Sequence, residues 1–334
     1  MVEVFPPRRG ARWWWWWVVL IAAAAAVGRG SGSGLVAGMA AAVATLGAVV
    51  AAGHQLRTPW LVGAVAAVAV FVLAAPPSAP TRVPLALLTG GLAALAAGLG
   101  ARPATDRVTL ADGFYGVGLM ILLSGVFTAV VPLPSPSLST AHLTTLLVLY
   151  LITPPLEALT VLLVLAHAPK FTRFVAANYA WRSTSWREIG QGVTVGVAII
   201  LLSSLLIQAE SVWFRLPVHP NNPFVYDPHA AHAPVLGIAA LVLAVVVLAP
   251  LAEEALFRGL LFGGMAARWG FWPAALLSAA IFGGAHLNLS LWLPLSVAGL
   301  LLALVYSRTR SLWSSTVAHA TLNGVSVLLA LLVR

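Results

Sequence analysis

Two adjacent glutamates and an arginine interrupt an apolar stretch near residue 250. Pro250 can open a helical segment there, with Glu253 and Glu254 in its first turn, where the helix dipole favours negative charge. Glu254 and Arg258 are four residues apart and can pair. Glu253 lies about 100° around the helix from Glu254, so it faces elsewhere without that partner. Such a carboxylate suits general acid or base chemistry, although an ion-paired helix end at the cytosolic interface is the structural alternative.

Two histidines and an asparagine follow on later apolar segments. His286 lies near the end of the next segment, after a Gly-Gly pair that allows close helix approach or local unwinding. His319 and Asn323 are four residues apart on the last segment, so they share a helix face, and both can donate hydrogen bonds. Taken singly, His286 could be an interfacial histidine, and the His319/Asn323 pair could be a helix-packing contact.

Ionisable groups within the apolar segments are few, and each needs a partner, because a charge at mid-bilayer costs at least about 2.5–3.5 kcal/mol on insertion scales. Five of the six fall in the last quarter of the chain. We therefore predict a polar chamber within the bilayer, formed where separate helices meet. The six ionisable residues are Glu157, Glu253, Glu254, Arg258, His286 and His319, and Asn323 is a buried amide. The chamber is predicted from these residues without Glu157, on three separate apolar helices.

The residue types in this set restrict the chemistry. The sequence has no cysteine, no Gly-Asp dyad of the aspartyl intramembrane type, no His-Glu-x-x-His motif and no serine with a plausible base on an apolar helix. Nucleophilic, aspartyl and conventional zinc proteolysis are therefore disfavoured. What remains is a carboxylate and an imidazole that can polarise water, with a histidine and an asparagine that can stabilise an oxyanion. This set suits acyl-transfer hydrolysis without a covalent intermediate.

Three short motifs, in order over about 70 residues, carry a family resemblance. They resemble the signature motifs of the CPBP family, the CAAX proteases and bacteriocin-processing enzymes, also called Abi or type II CAAX endopeptidases. The resemblance covers roughly residues 190 to 333, and the spans before about 140 show no family motif. The motifs are Glu253-Glu254-x-x-x-Arg258, Phe282-x-x-x-His286 and His319-x-x-x-Asn323.

The resemblance implies a role for each matched residue. Glu253 would be the general base that activates water, and His286 would hold the same water. His319 and Asn323 would form the oxyanion hole. The supporting residues would be Glu254, Arg258 and Phe282.

A metal is possible but not favoured. A His/His/Glu set is an accepted zinc coordination, so a bound zinc would take Glu253, His286 and His319 as ligands. We favour the metal-free version, because an asparagine at the last motif position suits hydrogen-bond donation better than zinc ligation.

The composition shows what must position these residues. Of 334 residues, 60% are hydrophobic and only 8% are charged, against about 25% in soluble domains. With a mean hydropathy of +0.97, the chain is predicted to be a polytopic membrane protein. Its continuous Ala/Leu/Val runs favour helices over a barrel. The net charge of +9 is spread as single bases between apolar runs, which does not indicate a nucleic-acid partner.

We predict an all-α transmembrane bundle of about eleven spans, with a range of eight to eleven and the catalytic core in the C-terminal spans. Pro154 and Pro155 are expected to kink or break the sixth span. The expected spans are 13–28, 35–53, 59–75, 84–100, 113–132, 142–168, 189–209, 235–250 continuing to about 268, 272–287, 291–306 and 312–333.

The bases predict the orientation. With the N-terminus inside, 14 of the 18 Lys and Arg residues fall on the cytosolic side and 4 on the other, as the positive-inside rule requires. The stretch 170–188 is then a basic cytosolic loop at the headgroup surface. The Ala-rich sequence and the extra N-terminal spans point to a bacterial cytoplasmic membrane.

Three regions are predicted: N-terminal spans of unknown role (1–140), a kinked span with the basic loop (141–188) and the protease-like core (189–334). The expected substrate is a membrane-embedded or lipid-modified peptide or protein, cleaved from the cytosolic side or within the bilayer. The family is named for cleavage after a prenylated cysteine. Two alternatives remain, a non-catalytic scaffold or bacteriocin-immunity protein and a proton-coupled transporter that uses Glu157 and Glu253 as relays.

Overall fold

The computed structural model describes residues 105–130, 140–166, 168–179, 185–213, 235–286 and 288–332. All regular structure in these ranges is helical, which agrees with the predicted all-α class. The first four predicted spans, 13–28, 35–53, 59–75 and 84–100, lie outside the described residues.

Eight helices make up this part of the chain, and the boundaries of seven of them follow the predicted apolar segments closely. The helix that carries the first motif runs without a break to Trp269, as predicted. The helices are α1 (Leu110–Val130), α2 (Thr140–Val164), α3 (Ala168–Asn178), α4 (Trp186–Trp213), α5 (Val235–Trp269), α6 (Phe271–Ala285), α7 (Leu289–Thr309) and α8 (Leu312–Leu332).

Within the described ranges, four helices are long and apolar enough to cross a membrane, namely α4, α5, α7 and α8. A fifth span is present if α2 and α3 together form one broken span. The 15 residues of α6 are apolar but fall short of that length. The structure therefore supports a helical membrane protein with four or five spans in this part, and the total of eleven stays a prediction.

The two prolines of the sixth predicted span do not break its helix, and the predicted kink there stays a prediction. Helix α2 continues through Pro154 and Pro155, and the chain instead bends by 120° between Tyr150–Val164 and Ala168–Asn178. Proline fixes φ near the helical value, so its cost in a helix is a lost hydrogen bond and a steric clash with the preceding turn. Here the helix tolerates both prolines.

Residues predicted to start the basic loop 170–188 are helical instead. They belong to α3, which buries Lys170, Phe174 and Asn178 and exposes Phe171 and Val175. The spacing of the three buried side chains, four residues apart, places them on one helix face. This periodicity explains why a segment with two bases folds as an amphipathic helix rather than as a loop.

By internal contacts, the described residues fall into two compact units. The first contains those between 105 and 130 together with 260–277, and the second contains those between 140 and 259 together with those between 278 and 332. In the first unit, the backbone of α1 closely approaches the end of α5, where Gly113 faces the backbone of Leu260 and Leu261. The second unit contains every residue of the three sequence motifs.

Glycines allow a close helix contact in the second unit, between α4 and α8. A Cβ on Gly192 would lie 2.6 Å from the carbonyl oxygen of Ser314, and one on Gly196 would lie 2.6 Å from that of Ala318. Small residues four apart let two membrane helices approach backbone to backbone. This contact fixes the position of the helix that carries His319 and Asn323.

A second close approach holds the end of α6 against α7. Gly283 faces the backbone of Trp292, whose indole Nε1–H donates a 3.2 Å hydrogen bond to the carbonyl of Ala280. Gly299 of α7 lies against Ala279 and the ring of Phe282. These contacts position the side chains at the end of α6.

Candidate active site

Glu254 and Arg258 form the buried ion pair of the site. Their carboxylate Oε1 and guanidinium Nη1 lie 3.0 Å apart, with exposures of 0% and 2%. The predicted pairing at four residues' separation is confirmed. Arg258 also donates from Nη2 to the carbonyl of Gly299 at 3.3 Å, which ties α5 to α7.

The pair lies in a π-helical segment, Glu254–Phe262, that the sequence did not predict. A second π-helical segment, Ala244–Leu248, precedes it in α5. Such segments bond each N–H to the carbonyl five residues earlier, are rare, and often mark functional sites. The wider turn changes the direction of the side chains that follow Glu253.

Glu253 differs from its neighbour in accessibility and in partner. Its side chain is 15% exposed, whereas that of Glu254 is fully buried. The group that faces it is the imidazole of His319, with 3.9 Å between Oε2 and Nε2. This distance is too long for a direct hydrogen bond, and Oε2 is buried without a hydrogen-bond partner among the described residues.

His319 lies between the two glutamates. Its Nδ1 is 3.0 Å from Oε1 of Glu254. An ionised carboxylate only accepts, so Nδ1 carries the proton in this contact. The nitrogen that faces Glu253 is then a lone pair in the neutral ring and an N–H donor in the imidazolium.

Phe282 is the aromatic centre of the cluster. Its ring makes edge contacts with His286 and His319 at centroid distances of 5.0 and 5.7 Å. It also contacts Phe257 at 5.2 Å and lies 4.3 Å from the guanidinium carbon of Arg258. The ring therefore shields the ion pair and restricts both histidines.

His286 is anchored to its own helix. Its Nδ1 lies 2.9 Å from the carbonyl oxygen of Phe282, an acceptor, so Nδ1 is the donor and Nε2 holds a lone pair in the neutral ring. Within the described part of the chain, no direct hydrogen bond or ion pair joins His286 to Glu253. Its shared water with Glu253 stays a prediction.

Asn323 contacts the first π-helical segment of α5. Its Nδ2 donates a 2.8 Å hydrogen bond to the carbonyl of Val245. A side-chain amide has two N–H donors, so this bond fixes the amide plane and uses one of them. The predicted oxyanion role of Asn323 rests on the second N–H and stays a prediction.

Helix α2 contributes two side chains near Glu253 that belong to none of the three motifs. Tyr150 and Glu157 are seven residues apart on α2 and both interact electrostatically with Glu253. Tyr150 also packs against Leu241 and Val327. From the sequence, Glu157 is predicted as an intramembrane acid, and only the proton-coupled transporter alternative gives it a role, as a proton relay. The seven-residue spacing, two helical turns, was the available signal that both share a face.

Tyr179 directly follows α3 and contacts residues of α5 and α8. Its hydroxyl lies 3.5 Å from the carbonyl of Leu251, and its own carbonyl accepts a 3.3 Å hydrogen bond from the indole of Trp313. Burial, together with the negative charge of Glu254, raises the pKa of the Tyr179 phenol. The phenol therefore stays neutral and acts in packing.

The zinc alternative needs Glu253, His286 and His319 to converge on one point. In the described ranges, no group of three or more His, Cys, Asp or Glu side chains is arranged to hold a metal ion. The set Glu253, His286 and His319 therefore does not fit a zinc ion in this arrangement.

Residues 235–325 match the profile of a family described as "Type II CAAX prenyl endopeptidase Rce1-like". The predicted family is confirmed for this segment. The match includes all three motifs, from Glu253 to Asn323.

A relative supports the same family. Over 85 residues the chain is 33% identical to a Bacillus subtilis (strain 168) protein named "Putative membrane peptidase YdiL". The aligned part is 25% of this chain and 35% of the relative, so the chain spans about a third of the relative's length. No solved structure matches the chain. With the apolar helices, these matches support an integral membrane protein whose C-terminal segment is of the CAAX protease type.

Proposed function

We propose that the C-terminal helices form an intramembrane endopeptidase that hydrolyses a peptide bond in a membrane-associated protein or peptide. The observation that carries the proposal is the contrast between two adjacent glutamates. Glu254 is fully buried and paired, whereas Glu253 is 15% exposed, has no described base in direct contact and faces an imidazole at 3.9 Å. A partly exposed carboxylate beside a histidine, in surroundings of low dielectric, is suited to activate water.

In the proposed reaction, Glu253 takes a proton from water while the water oxygen attacks the carbonyl carbon of the scissile bond. The tetrahedral intermediate carries the negative charge on the former carbonyl oxygen. Glu253 then gives the proton to the leaving nitrogen as the C–N bond breaks, which restores the carboxylate. His286 is proposed to hold the same water through its Nε2.

The proposed oxyanion donors are His319 and Asn323. Asn323 would use the amide N–H that is not bonded to Val245. His319 would donate from Nε2 as the imidazolium, with its Nδ1–H bonded to Glu254. Preorganised donors of this kind typically contribute 10²–10³-fold to the rate.

The proposed setting follows the sequence. The enzyme would lie in a bacterial cytoplasmic membrane with its N-terminus in the cytosol, act on an embedded or lipid-modified substrate, and need no metal. The comparisons give no support to a scaffold, immunity protein or proton-coupled transporter.

The test compares peptide termini in membranes from cells that produce the wild-type chain or Glu253→Gln. Mass spectrometry should find new termini in the wild type that are reduced by at least about 100-fold in the variant, since general base catalysis contributes roughly 10²–10⁴-fold. Identical termini in both would contradict the proposal.

The matched control is Glu188→Gln. Glu188 lies in the first turn of α4, where its Oε2 accepts a 3.0 Å hydrogen bond from the backbone of Ser185. Glutamine can accept the same bond. This variant should give the wild-type termini, so that a loss in Glu253→Gln cannot be attributed to removing a glutamate as such.

A further inference from the structure

Glu157 is a buried acid that the proposed reaction does not use. Its side chain is 7% exposed, and its Oε2 has no hydrogen-bond partner among the described residues. It lies on α2, which packs against the Ala249–Glu253 part of α5. The charge that acts on it is that of Glu253.

Among the described residues, the acidic groups around Glu253 outnumber the basic ones. Glu157, Glu253 and Glu254 would contribute three negative charges, whereas Arg258 and a protonated His319 contribute two positive ones. An unpaired charge buried at low dielectric costs several kcal/mol. The cluster therefore avoids that cost only if at least one carboxyl group holds a proton.

The contacts indicate which carboxyl group that is. Glu254 lies 3.0 Å from both Arg258 and His319, so it is the charged one. Oε2 of Glu253 also lacks a hydrogen-bond partner among the described residues, but this carboxyl group is partly exposed and has His319 at 3.9 Å. No described base forms an ion pair with Glu157, and its neighbour Glu253 carries a like charge.

We propose that Glu157 is a positioning residue that holds a proton beside Glu253, so that the two carboxyl groups carry one negative charge between them and Glu253 keeps it. This inference rests on the proposed function for its catalytic meaning. Like-charged carboxyl groups in one site cannot both ionise easily, and they titrate as a coupled pair.

A proton held on Glu157 makes the cleavage activity depend on pH. In the active form Glu157 is neutral and Glu253 is charged. At alkaline pH Glu157 loses its proton, and the second negative charge repels Glu253 from its place beside His319. The other titratable group that faces Glu253 from α2 is Tyr150. Activity should therefore fall on the alkaline side as Glu157 ionises.

Infrared spectroscopy tests the proton directly, without any substrate. The full chain, reconstituted in phosphatidylcholine vesicles at neutral pH, should show the C=O stretching band of a buried protonated carboxyl group. With nine acidic residues in the chain, one band can be assigned by substitution. Glu157→Gln should remove it, whereas Glu157→Asp and the surface control Glu188→Gln should retain it. A band of full intensity in Glu157→Gln would overturn the proposal.

The pH profile of cleavage tests the catalytic meaning, with a peptide identified in the membrane comparison as probe. Glu157→Gln should lower kcat by less than about ten-fold near neutral pH and move the alkaline limb upward by about one pH unit or more, since Gln has no proton to lose. Glu157→Asp should restore the limb. A lower rate with an unmoved limb would show a merely structural role and overturn the proposal.

The two readouts separate this inference from the proposed function. If no cleavage is detected while the infrared band depends on Glu157, the proton assignment holds and the peptidase proposal fails. If cleavage depends on Glu253 but the band is insensitive to Glu157, the peptidase proposal holds and this inference fails.

Discussion

Helix α8 has two neighbouring faces, one that packs small side chains and backbone and one that carries polar side chains. Its packing face, made of Ser314, Val317, Ala318 and Thr321, lies against the glycines of α4. Its polar face, made of Ser315, His319 and Asn323, lies against α5, where Ser315 and His319 border the carboxylate of Glu254. The packing face brings backbones together without charge, and the polar face brings charges together.

The difference shows how a membrane helix can hold ionisable groups. Lipid tails are as apolar as the helices, so close van der Waals packing of small residues is a main force that holds helices together. The α4 contact provides that packing. The polar face can then use its side chains to pair with α5, because the helix is already fixed from another side.

The largest expected effect on stability comes from breaking the ion pair of α5 against which the polar face lies. Arg258→Met keeps the side-chain volume but leaves Glu254 buried beside His319 alone. We expect a loss of about 3–5 kcal/mol in the free energy of unfolding, since one partner of a buried pair is removed. Thermal unfolding in detergent, followed by tryptophan fluorescence, measures it.

The matched double variant is Arg258→Met with Glu254→Gln. Removing both charges leaves no uncompensated ion, so most of the lost stability should return. A double variant no more stable than Arg258→Met would show that the pair is not the source of the loss.

An intermediate effect should follow from disturbing the packing face. Gly196→Val places a side chain where a Cβ would lie 2.6 Å from both the Ala318 carbonyl and Cβ of Thr321. We expect about 1–3 kcal/mol of destabilisation from overpacking. The control is Gly190→Ala on the same helix, which meets nothing within 4 Å and should stabilise the helix by about 0.5–1 kcal/mol. Equal unfolding midpoints for the two variants would contradict the close approach.

The smallest effect on stability is expected at the end of the polar face. Asn323→Ala removes the 2.8 Å hydrogen bond to Val245, and interhelical hydrogen bonds in membranes average about 0.6 kcal/mol. Stability should therefore change little, while cleavage should fall by about 10²-fold or more if Asn323 stabilises the oxyanion. Parallel unfolding and cleavage measurements separate the two, and a parallel loss of both would contradict the oxyanion role.

Several features of the fold were open to prediction because they depend on local spacing. The four-residue separation of Glu254 and Arg258 predicts their ion pair, and the length of the apolar run predicts that α5 continues past the motif. The predicted loop over α3 is wrong, because the helical spacing of its buried residues outweighs the loop signal of Lys170 and Arg173. Helix α2 is not broken at Pro154 and Pro155, and the bend follows Val164 instead, since the prolines alone do not show whether neighbouring helices tolerate them.

The sequence by itself determined the all-helical membrane class, the polar residues that had to meet and the family of the C-terminal segment. Those follow from composition, from spacing along single helices and from the cost of charge in lipid. Only the tertiary structure decided that His319, rather than His286, lies beside Glu253, and that Tyr150 and Glu157 complete its surroundings. The physical reason is that these neighbours come from different helices, whose contacts depend on packing and on two π-helical segments in α5 that no local spacing reveals.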